Sequence, residues 1–214
     1  MKVSFPSFSP MGAMAALLLL VTMLQLAVHG QAEAPPANSV SIEGFSYNGD
    51  GCPSGSAEGS ISSDGQALTV MFSKYTATTE GRIQKEMRKS CVVTVKLNYP
   101  PGFVFTLGTV TMRGYGQLDA GIKGTIKTSY YISGLRGTAS ATHNFNGPFN
   151  DNYEVADEFI AAVESTCNVV RNLQLNSEVR VNPGKIPPPS NGLLTMDSQD
   201  LKLTQKFYFK WRRC

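Results

Sequence analysis

Apolar residues recur at every second position along most of the chain after residue 40. The five clearest alternating runs are Leu68–Phe72, Cys91–Leu97, Ile126–Ile132, Leu173–Val181 and Phe207–Trp211. Successive side chains of a strand point to opposite faces, so this period places the apolar residues on one buried face. The runs are also rich in β-branched and aromatic residues, which strands favour. Each run is therefore predicted to be a half-buried β-strand.

Turn signals separate these runs. They are Asn48-Gly49, Asp64-Gly65, Pro100-Pro101-Gly102, Gly114-x-Gly116, Asn146-Gly147-Pro148 and Asn191-Gly192. Many short strands with glycine-rich turns predict an all-β fold, an antiparallel β-sandwich, because each sheet has one apolar face to bury. We expect one or two short helices at most. Residues 154–164 carry an apolar helical stripe, and Thr79–Lys89 is a weaker helical or loop candidate without one.

The N-terminal segment predicts secretion. Residues 1–30 combine one charge (Lys2), an apolar run and a small-residue stop, which is typical of a signal peptide. Residues 31–39 are polar and proline-bearing, so we expect a flexible lead-in. Residues 40–214 are then expected to form a single secreted β-sandwich domain. The proline-rich segment 183–192 should be an exposed connection.

Four cysteines follow the predicted leader: Cys52, Cys91, Cys167 and Cys214. Secretion makes them competent for two disulfides, and the chain has no Cys-x-x-Cys spacing that would favour zinc. Four cysteines allow three pairings. We predict pairing in order, Cys52 with Cys91 and Cys167 with Cys214. Each of these disulfides would stabilise the fold by about 4 kcal/mol, because closing its loop lowers the entropy of the unfolded chain.

Several short motifs resemble a family of small secreted four-cysteine proteins known only as a domain of unknown function. The motifs are Gly51-Cys52-Pro53, Arg88-x-x-Cys91, Pro101-Gly102-Phe103, Arg113-Gly114, Tyr130-Tyr131-Ile132-Ser133-Gly134 and Phe209-x-Trp211-x-x-Cys214. The resemblance covers residues 42–214. It implies secretion, a β-rich fold and paired cysteines, and it supplies no catalytic residues.

Composition and motifs give little support for catalysis. The net charge of the whole chain is only +3, which argues against nucleic acid as a partner and, after cleavage of the leader, against a membrane. After cleavage one histidine remains, His143, which lies in a polar stretch and is expected to be exposed. The nucleophile pattern Gly-x-Ser-x-Gly is absent from the sequence. We predict no catalytic residues, no metal site and no cofactor.

Carboxylates and amides offer the remaining candidate chemistry. The closest acidic clusters are Asp157-Glu158, Asp151-x-x-Glu154 and Asp197-x-x-Asp200. Residues one or three apart on a strand point to opposite faces, so a glycosidase pair would have to come from distant strands. The amide-rich segment from Asn144 to Asn152 is interpreted as a plain turn rather than a calcium loop.

The C-terminal strand is rich in cations. They are Lys202, Lys206, Lys210, Arg212 and Arg213. One interpretation is a cationic surface that meets an anionic polysaccharide. We favour the other, an edge strand that lysines protect against pairing with another chain. Trp211 is expected to be buried near Cys214, and Tyr131 is a candidate exposed contact.

These observations favour a secreted, non-catalytic module that binds a surface, a cell wall or a host molecule. Its partner would be an extracellular glycan or protein, and we expect a monomer. A first alternative is an extracellular hydrolase or lyase that uses carboxylates on polysaccharide. A second is a secreted effector or inhibitor that presents the Thr79–Lys89 segment.

Overall fold

Two antiparallel sheets carry nearly all of the regular structure. The structure is a computed structural model that describes residues 34–185, 187, 190–195 and 203–214. Its strands are β1 (Ser41–Asn48), β2 (Ala57–Ile61), β3 (Ala67–Phe72), β4 (Thr76–Thr78), β5 (Arg88–Asn98), β6 (Phe103–Leu118), β7 (Lys123–Ile132), β8 (Ala139–Asn146), β9 (Phe149–Glu158), β10 (Leu173–Asn182), β11 (Gly192–Thr195) and β12 (Leu203–Arg213).

The strands form sheet A in the order β1-β5-β10-β7-β8 and sheet B in the order β2-β3-β12-β6-β11-β4. The long strand β6 organises sheet B. One of its edges pairs with β12 and then with β11, and the other edge pairs with β9. An isolated bridge between Ser140 and Ile160 links the edge of sheet A to the segment after β9.

The apolar faces of the two sheets form the core. The inward-facing apolar residues of all five predicted runs are buried, including Leu68, Val93, Ile126, Leu173 and Phe207. The structure also contains two disulfides, Cys52–Cys91 and Cys167–Cys214, with Cα atoms 5.6 and 5.9 Å apart. The predicted fold class, an all-β sandwich stapled by disulfides with at most two short helices, is therefore confirmed.

The helix predicted over residues 154–164 is wrong. Residues up to Glu158 belong to β9, and β9 pairs residue by residue with Thr109–Leu118 of β6. That ladder satisfies backbone groups along the edge of β6, so tertiary pairing overrides the local helical stripe. The short helix α1 (Gln84–Met87) and a 3-10 turn (Glu80–Arg82) lie instead within the weaker candidate segment.

The turn predicted at Gly114-x-Gly116 is also wrong, because both glycines lie inside β6. Gly114 is needed there for close packing rather than for a turn. A Cβ atom at Gly114 would lie 2.3 Å from the carbonyl oxygen of Thr195 and 2.5 Å from the hydroxyl of Tyr153. The Tyr153 hydroxyl donates to that same carbonyl at 2.6 Å. Glycine therefore lets β9 and β11 approach β6 from opposite edges.

The C-terminal strand is not an edge strand, which corrects the favoured interpretation of its lysines. β12 pairs with β3 on one side and with β6 on the other. The ladder with β3 covers Leu203 to Tyr208, so at Lys206 both neighbouring strands are in place and no lysine is required to block a free edge. Beyond Tyr208, β12 has a ladder with β6 only.

The predicted signal peptide, residues 1–30, lies outside the described residues and stays a prediction. Of the lead-in, the structure describes residues 34–39, which contact the sandwich. Pro35 is buried, and the Asn38 N–H donates to the carbonyl of Ser63 at 2.7 Å.

Candidate functional site

A basic cleft lies where the Thr79–Lys89 segment crosses the end of sheet A. It has a volume of about 660 Å³ and is bounded by α1 with its preceding turn, by the start of β5 and by the end of β10. We define the basic cleft by its four cations and the neutral residues between them: Arg82, Gln84, Lys85, Met87, Arg88, Arg180, Val181, Asn182, Pro183 and Gly184. None of these lining residues carries a carboxylate.

The sheet register brings two of these arginines together. Arg88 of β5 lies directly opposite Arg180 of β10. Like charges in that position repel, so the arrangement has a cost that neutralisation would relieve. Glu178 neutralises part of this charge, because its carboxylate accepts a hydrogen bond from the Arg88 guanidinium at 2.6 Å. That hydrogen bond raises the pKa of Arg88 above its ordinary value, so Arg88 stays fully charged.

The other cations of the cleft have different surroundings. Arg82 donates to the Ser190 hydroxyl at 2.9 Å, which fixes its guanidinium against the connection before β11. Lys85 and Arg180 are exposed, and neither forms an ion pair with any residue that the structure describes. The cleft therefore concentrates positive potential. Among the described residues, an ion pair neutralises one of its cations, Arg88, through Glu178 beside the cleft.

A rigid corner supports the strands behind the cleft. Cys91 of β5 is bonded to Cys52, and both are almost fully buried. Tyr75 is also buried, and its hydroxyl donates to the carbonyl of Ser177 in β10 at 2.7 Å. Burial raises the pKa of Tyr75 well above its ordinary value, so the hydroxyl remains a donor. A Cβ atom at Gly51 would lie 2.2 Å from the Tyr75 ring, which explains the glycine of the Gly51-Cys52-Pro53 motif.

A second, smaller recess lies beside the cleft on the outer face of sheet A. This polar recess has a volume of about 190 Å³, and its outward-pointing lining residues are Ser90, Val92, Lys127, Ser129, Asn176 and Glu178. Glu178 also binds Arg88 of the basic cleft, so the two depressions are neighbours along β10. The Oδ1 atom of Asn176 is buried, and the structure gives it no hydrogen-bond partner among the described residues.

His143 lies on β8, as the polar stretch around it suggested, but it is half-buried rather than exposed. It points into the seam between the two sheets, because its neighbours at alternate positions, Ala141 and Phe145, are buried. Its Nδ1 atom lies 3.1 Å from Oδ2 of Asp157 in β9, and its ring centroid lies 4.8 Å from that of Phe145. This pair crosses from sheet A to sheet B.

Glu154, Asn144 and Asn150 serve the strands that carry them. Glu154 pairs with Arg113 at 3.1 Å on the outer face of sheet B. Asn150 accepts from the hydroxyl of Tyr115, and Asn144 accepts from Thr125, so both amides stabilise strands. Asp197 and Asp200 lie outside the described residues. Across the described ranges, no three His, Cys, Asp or Glu side chains form a group that could hold a metal.

The C-terminal cations are largely engaged within the protein. Arg212 forms an ion pair with Glu164, and Arg213 lies over the ring of Phe103 at 5.1 Å. Lys206 lies over the ring of Tyr208 at 5.1 Å. Trp211 is buried, as predicted, and donates to the carbonyl of Gly65 at 2.9 Å. Lys202 lies outside the described residues.

Sequence reasoning missed the basic cleft. Arg88 and Arg180 are 92 positions apart in the chain, and only the register of β5 with β10 brings them together. The signal that the sequence did carry was the charge density of Thr79–Lys89. Tyr131 points to the outer face of sheet A but is half-buried rather than exposed, and its role as a contact stays a prediction.

Comparison with known proteins assigns the chain to a family. Residues 38–214 match the domain of unknown function DUF4360. The chain belongs to this family. A relative in Arthroderma benhamiae, described as an uncharacterized secreted protein, is 35% identical over 189 residues, which is 87% of this chain and 76% of the relative. This likeness confirms the predicted family resemblance and the secreted, extracellular localisation of this DUF4360 protein. Among the described residues, no helix has the length and apolar character needed to cross a bilayer.

Likeness to solved structures is weak. A carbohydrate-binding module, TmCBM61, solved in complex with β-1,4-galactotriose, gives a TM-score of 0.29 at 10% identity and covers 80% of this chain and 90% of its own. PfGH50B gives a TM-score of 0.23 at 11% identity over 80% of this chain and 23% of its own. At these scores neither likeness assigns a ligand to the DUF4360 protein.

Proposed function

We propose that this secreted protein is a non-catalytic binding module that holds an anionic extracellular ligand in the basic cleft. The observation that carries the proposal is the convergence of Arg82, Lys85, Arg88 and Arg180 on a cleft whose lining has no carboxylate. An anion placed between Arg88 and Arg180 would relieve their mutual repulsion.

The residue types suit this role. Guanidinium groups bind carboxylate, phosphate and sulfate with two parallel hydrogen bonds, and lysine adds an adaptable point charge. Arg82 and Arg88 are held by Ser190 and Glu178, so part of the cleft is organised before a ligand arrives. Arg180 and Lys85 are exposed and can turn toward the ligand. Binding of this kind weakens as salt screens the charges.

Retention on immobilised dextran sulfate, eluted with a salt gradient, tests the proposal. The double variant Arg180→Gln and Lys85→Gln should bind about tenfold more weakly at low salt and elute earlier. It loses two charges that can form charge-assisted hydrogen bonds with the sulfate groups. Neutral dextran should retain neither protein.

The matched control is the double variant Lys210→Gln and Arg213→Gln, which removes the same charge from the exposed side chains of β12. It should elute with the unaltered protein. Equal shifts for both double variants would mean that only net charge matters, and this result would overturn the assignment of the cleft.

One observation favours the alternative of a polysaccharide hydrolase or lyase, namely the His143–Asp157 pair at the seam. A carboxylate that orients a histidine is a familiar arrangement for general-base catalysis. A panel of ester, peptide and polysaccharide substrates tests it. Reproducible turnover by the purified protein that disappears in Asp157→Asn would replace the binding proposal with catalysis. We expect no turnover.

A further inference from the structure

We propose that the anionic ligand is an acidic polysaccharide whose chain runs along the outer face of β10, from the basic cleft through the polar recess to Tyr131. This inference rests on the proposed function of the cleft and adds the class of ligand and its path. The outward-pointing residues of β10 along this path are Asn182, Arg180, Glu178, Asn176 and Gln174.

The register of sheet A builds a continuous track from side chains of three strands. Arg180 lies between Arg88 and Thr125, and Glu178 lies between Ser90 and Lys127. The next two rows are Asn176 between Val92 and Ser129, and Gln174 between Thr94 and Tyr131. Because a strand rises about 3.4 Å per residue, the track from Arg180 to Gln174 is about 20 Å long. It can therefore hold several sugar rings in succession.

The polar recess marks the middle of this track. Asn176 Oδ1 is buried at the recess without a partner, whereas the neighbouring Gln174 is satisfied by Thr94 at 2.7 Å. A buried acceptor without a partner costs free energy. A rotation of the Asn176 side chain toward the recess that it lines would bring this oxygen to a donor bound there and remove that cost. A sugar hydroxyl is such a donor. Ser129 and Lys127 line the same recess and supply further polar contacts.

The chemistry of the track favours polysaccharide over acidic peptide. β10 pairs with β5 and with β7 over most of its length, so its backbone groups are consumed and cannot add a peptide strand. Recognition must then come from side chains. Beyond the cations these are hydroxyls, amides, one aromatic ring, Val92 and Glu178, whose carboxylate is paired with Arg88. Hydroxyl-rich sugars suit such groups, and a tyrosine ring offers an apolar face to a pyranose. The cations at one end select an acidic chain.

Isothermal titration with galacturonate, its trimer and its hexamer tests the path. Affinity should rise about tenfold or more from monomer to hexamer as successive rows are filled, because each added hydrogen-bonded contact stabilises the complex. Neutral cellohexaose should bind at least about tenfold more weakly than the acidic hexamer, since it lacks the charge-assisted contacts. Hexaglutamate is the peptide arm and should bind no better than the sugar monomer.

Two variants separate the track from the cleft. Asn176→Val should weaken the hexamer about tenfold and leave the monomer unchanged, because only the longer chain reaches the recess. Arg180→Gln should weaken both. Tyr131→Ala provides a second probe at the far end of the track, and Thr111→Val on the outer face of sheet B is the matched control, expected to change neither affinity.

The outcomes keep the two proposals apart. Arg180→Gln could weaken binding while affinity does not depend on chain length and neither Asn176→Val nor Tyr131→Ala changes it. That result would support the cleft as the binding site and overturn the proposed track. Hexaglutamate binding that depends on Asn176 would overturn the choice of polysaccharide. If neither the sugars nor dextran sulfate binds, the proposed function itself fails. Circular dichroism and thermal midpoints of each variant verify that it is folded.

Discussion

The two ends of the sandwich each carry a disulfide, but they use charge in opposite ways. β5 runs about 30 Å from Arg88 at one end to Asn98 at the other. We call the first the cleft end, which holds Cys52–Cys91 and the basic cleft. The second is the C-terminal end, which holds Cys167–Cys214 and an aromatic cluster. In this cluster the ring centroids of Phe105 and Trp211 are 5.4 Å apart.

The two arginines of β12 at the C-terminal end are engaged by the protein itself, while Lys85 and Arg180 at the cleft end are not. Arg212 pairs with Glu164, and Arg213 covers Phe103. At the cleft end Arg180 and Lys85 have no ion pair within the part of the chain that the structure describes. Density of charge in the sequence is therefore a poor guide to a site. What matters is whether the fold supplies a partner for each charge.

The largest expected effect comes from opening the disulfide at the cleft end. The double variant Cys52→Ala and Cys91→Ala should lose about 4 kcal/mol of unfolding free energy by chain entropy. It should also lose dextran sulfate binding, because Cys91 lies in β5 three residues after Arg88. Urea unfolding and the column assay measure the two quantities. Cys167→Ala with Cys214→Ala should lose similar stability and keep binding; loss of binding there too would remove the distinction between the ends.

Truncating Trp211 should affect stability alone. Trp211→Ala removes a buried ring from the aromatic cluster and is expected to cost about 3 kcal/mol of unfolding free energy. Trp211→Phe should cost less, because it keeps most of the packing. Chemical denaturation gives both values, and the folded variants should bind dextran sulfate as the unaltered protein does. Weaker binding in Trp211→Phe would show that the C-terminal end contributes to the site.

Tyr75→Phe should have a moderate effect on the cleft end. It removes the hydroxyl that donates to the carbonyl of Ser177 and leaves that buried acceptor with fewer partners. We expect a loss of about 1.5 kcal/mol in unfolding free energy, as for other buried hydrogen bonds. Tyr153→Phe, which removes the analogous bond to Thr195, is the matched control for stability. Only Tyr75→Phe should weaken anion binding; an unchanged affinity would show that this corner does not position β10.

The smallest expected effect is a pH dependence at the C-terminal end. Asp64 accepts from the Ser62 hydroxyl and from the Gln66 N–H, and these hydrogen bonds lower its pKa. The stability that Asp64 contributes is thus present above its unfolded pKa of about 3.9 and is lost as pH falls through the lower folded pKa. Thermal unfolding of Asp64→Asn should show less loss of stability below pH 4 than the unaltered protein. If the stability of both proteins fell equally below pH 4, Asp64 would not be the source of this pH dependence.

The alternation of apolar residues determined which segments form strands. A strand that buries one face carries apolar residues at every second position. Leu68, Val93, Ile126 and Phe207 were all identified as inward-facing from the sequence, and all are buried. The helix expected over residues 154–164 failed because a local stripe cannot compete with a ladder along β6. The turn expected at Gly114-x-Gly116 failed because close packing and turns both favour glycine.

By itself, the sequence determined a secreted, disulfide-stapled β-sandwich, since period, turn residues and cysteines are local signals. Tertiary structure decided which strands lie at the edges and which charges meet. β12 became an inner strand at Gln205 to Tyr208 only through its pairing with both β3 and β6. The basic cleft exists because the register of β5 with β10 sets Arg88 opposite Arg180. Register is a property of two distant segments together, so no window of the sequence contains it.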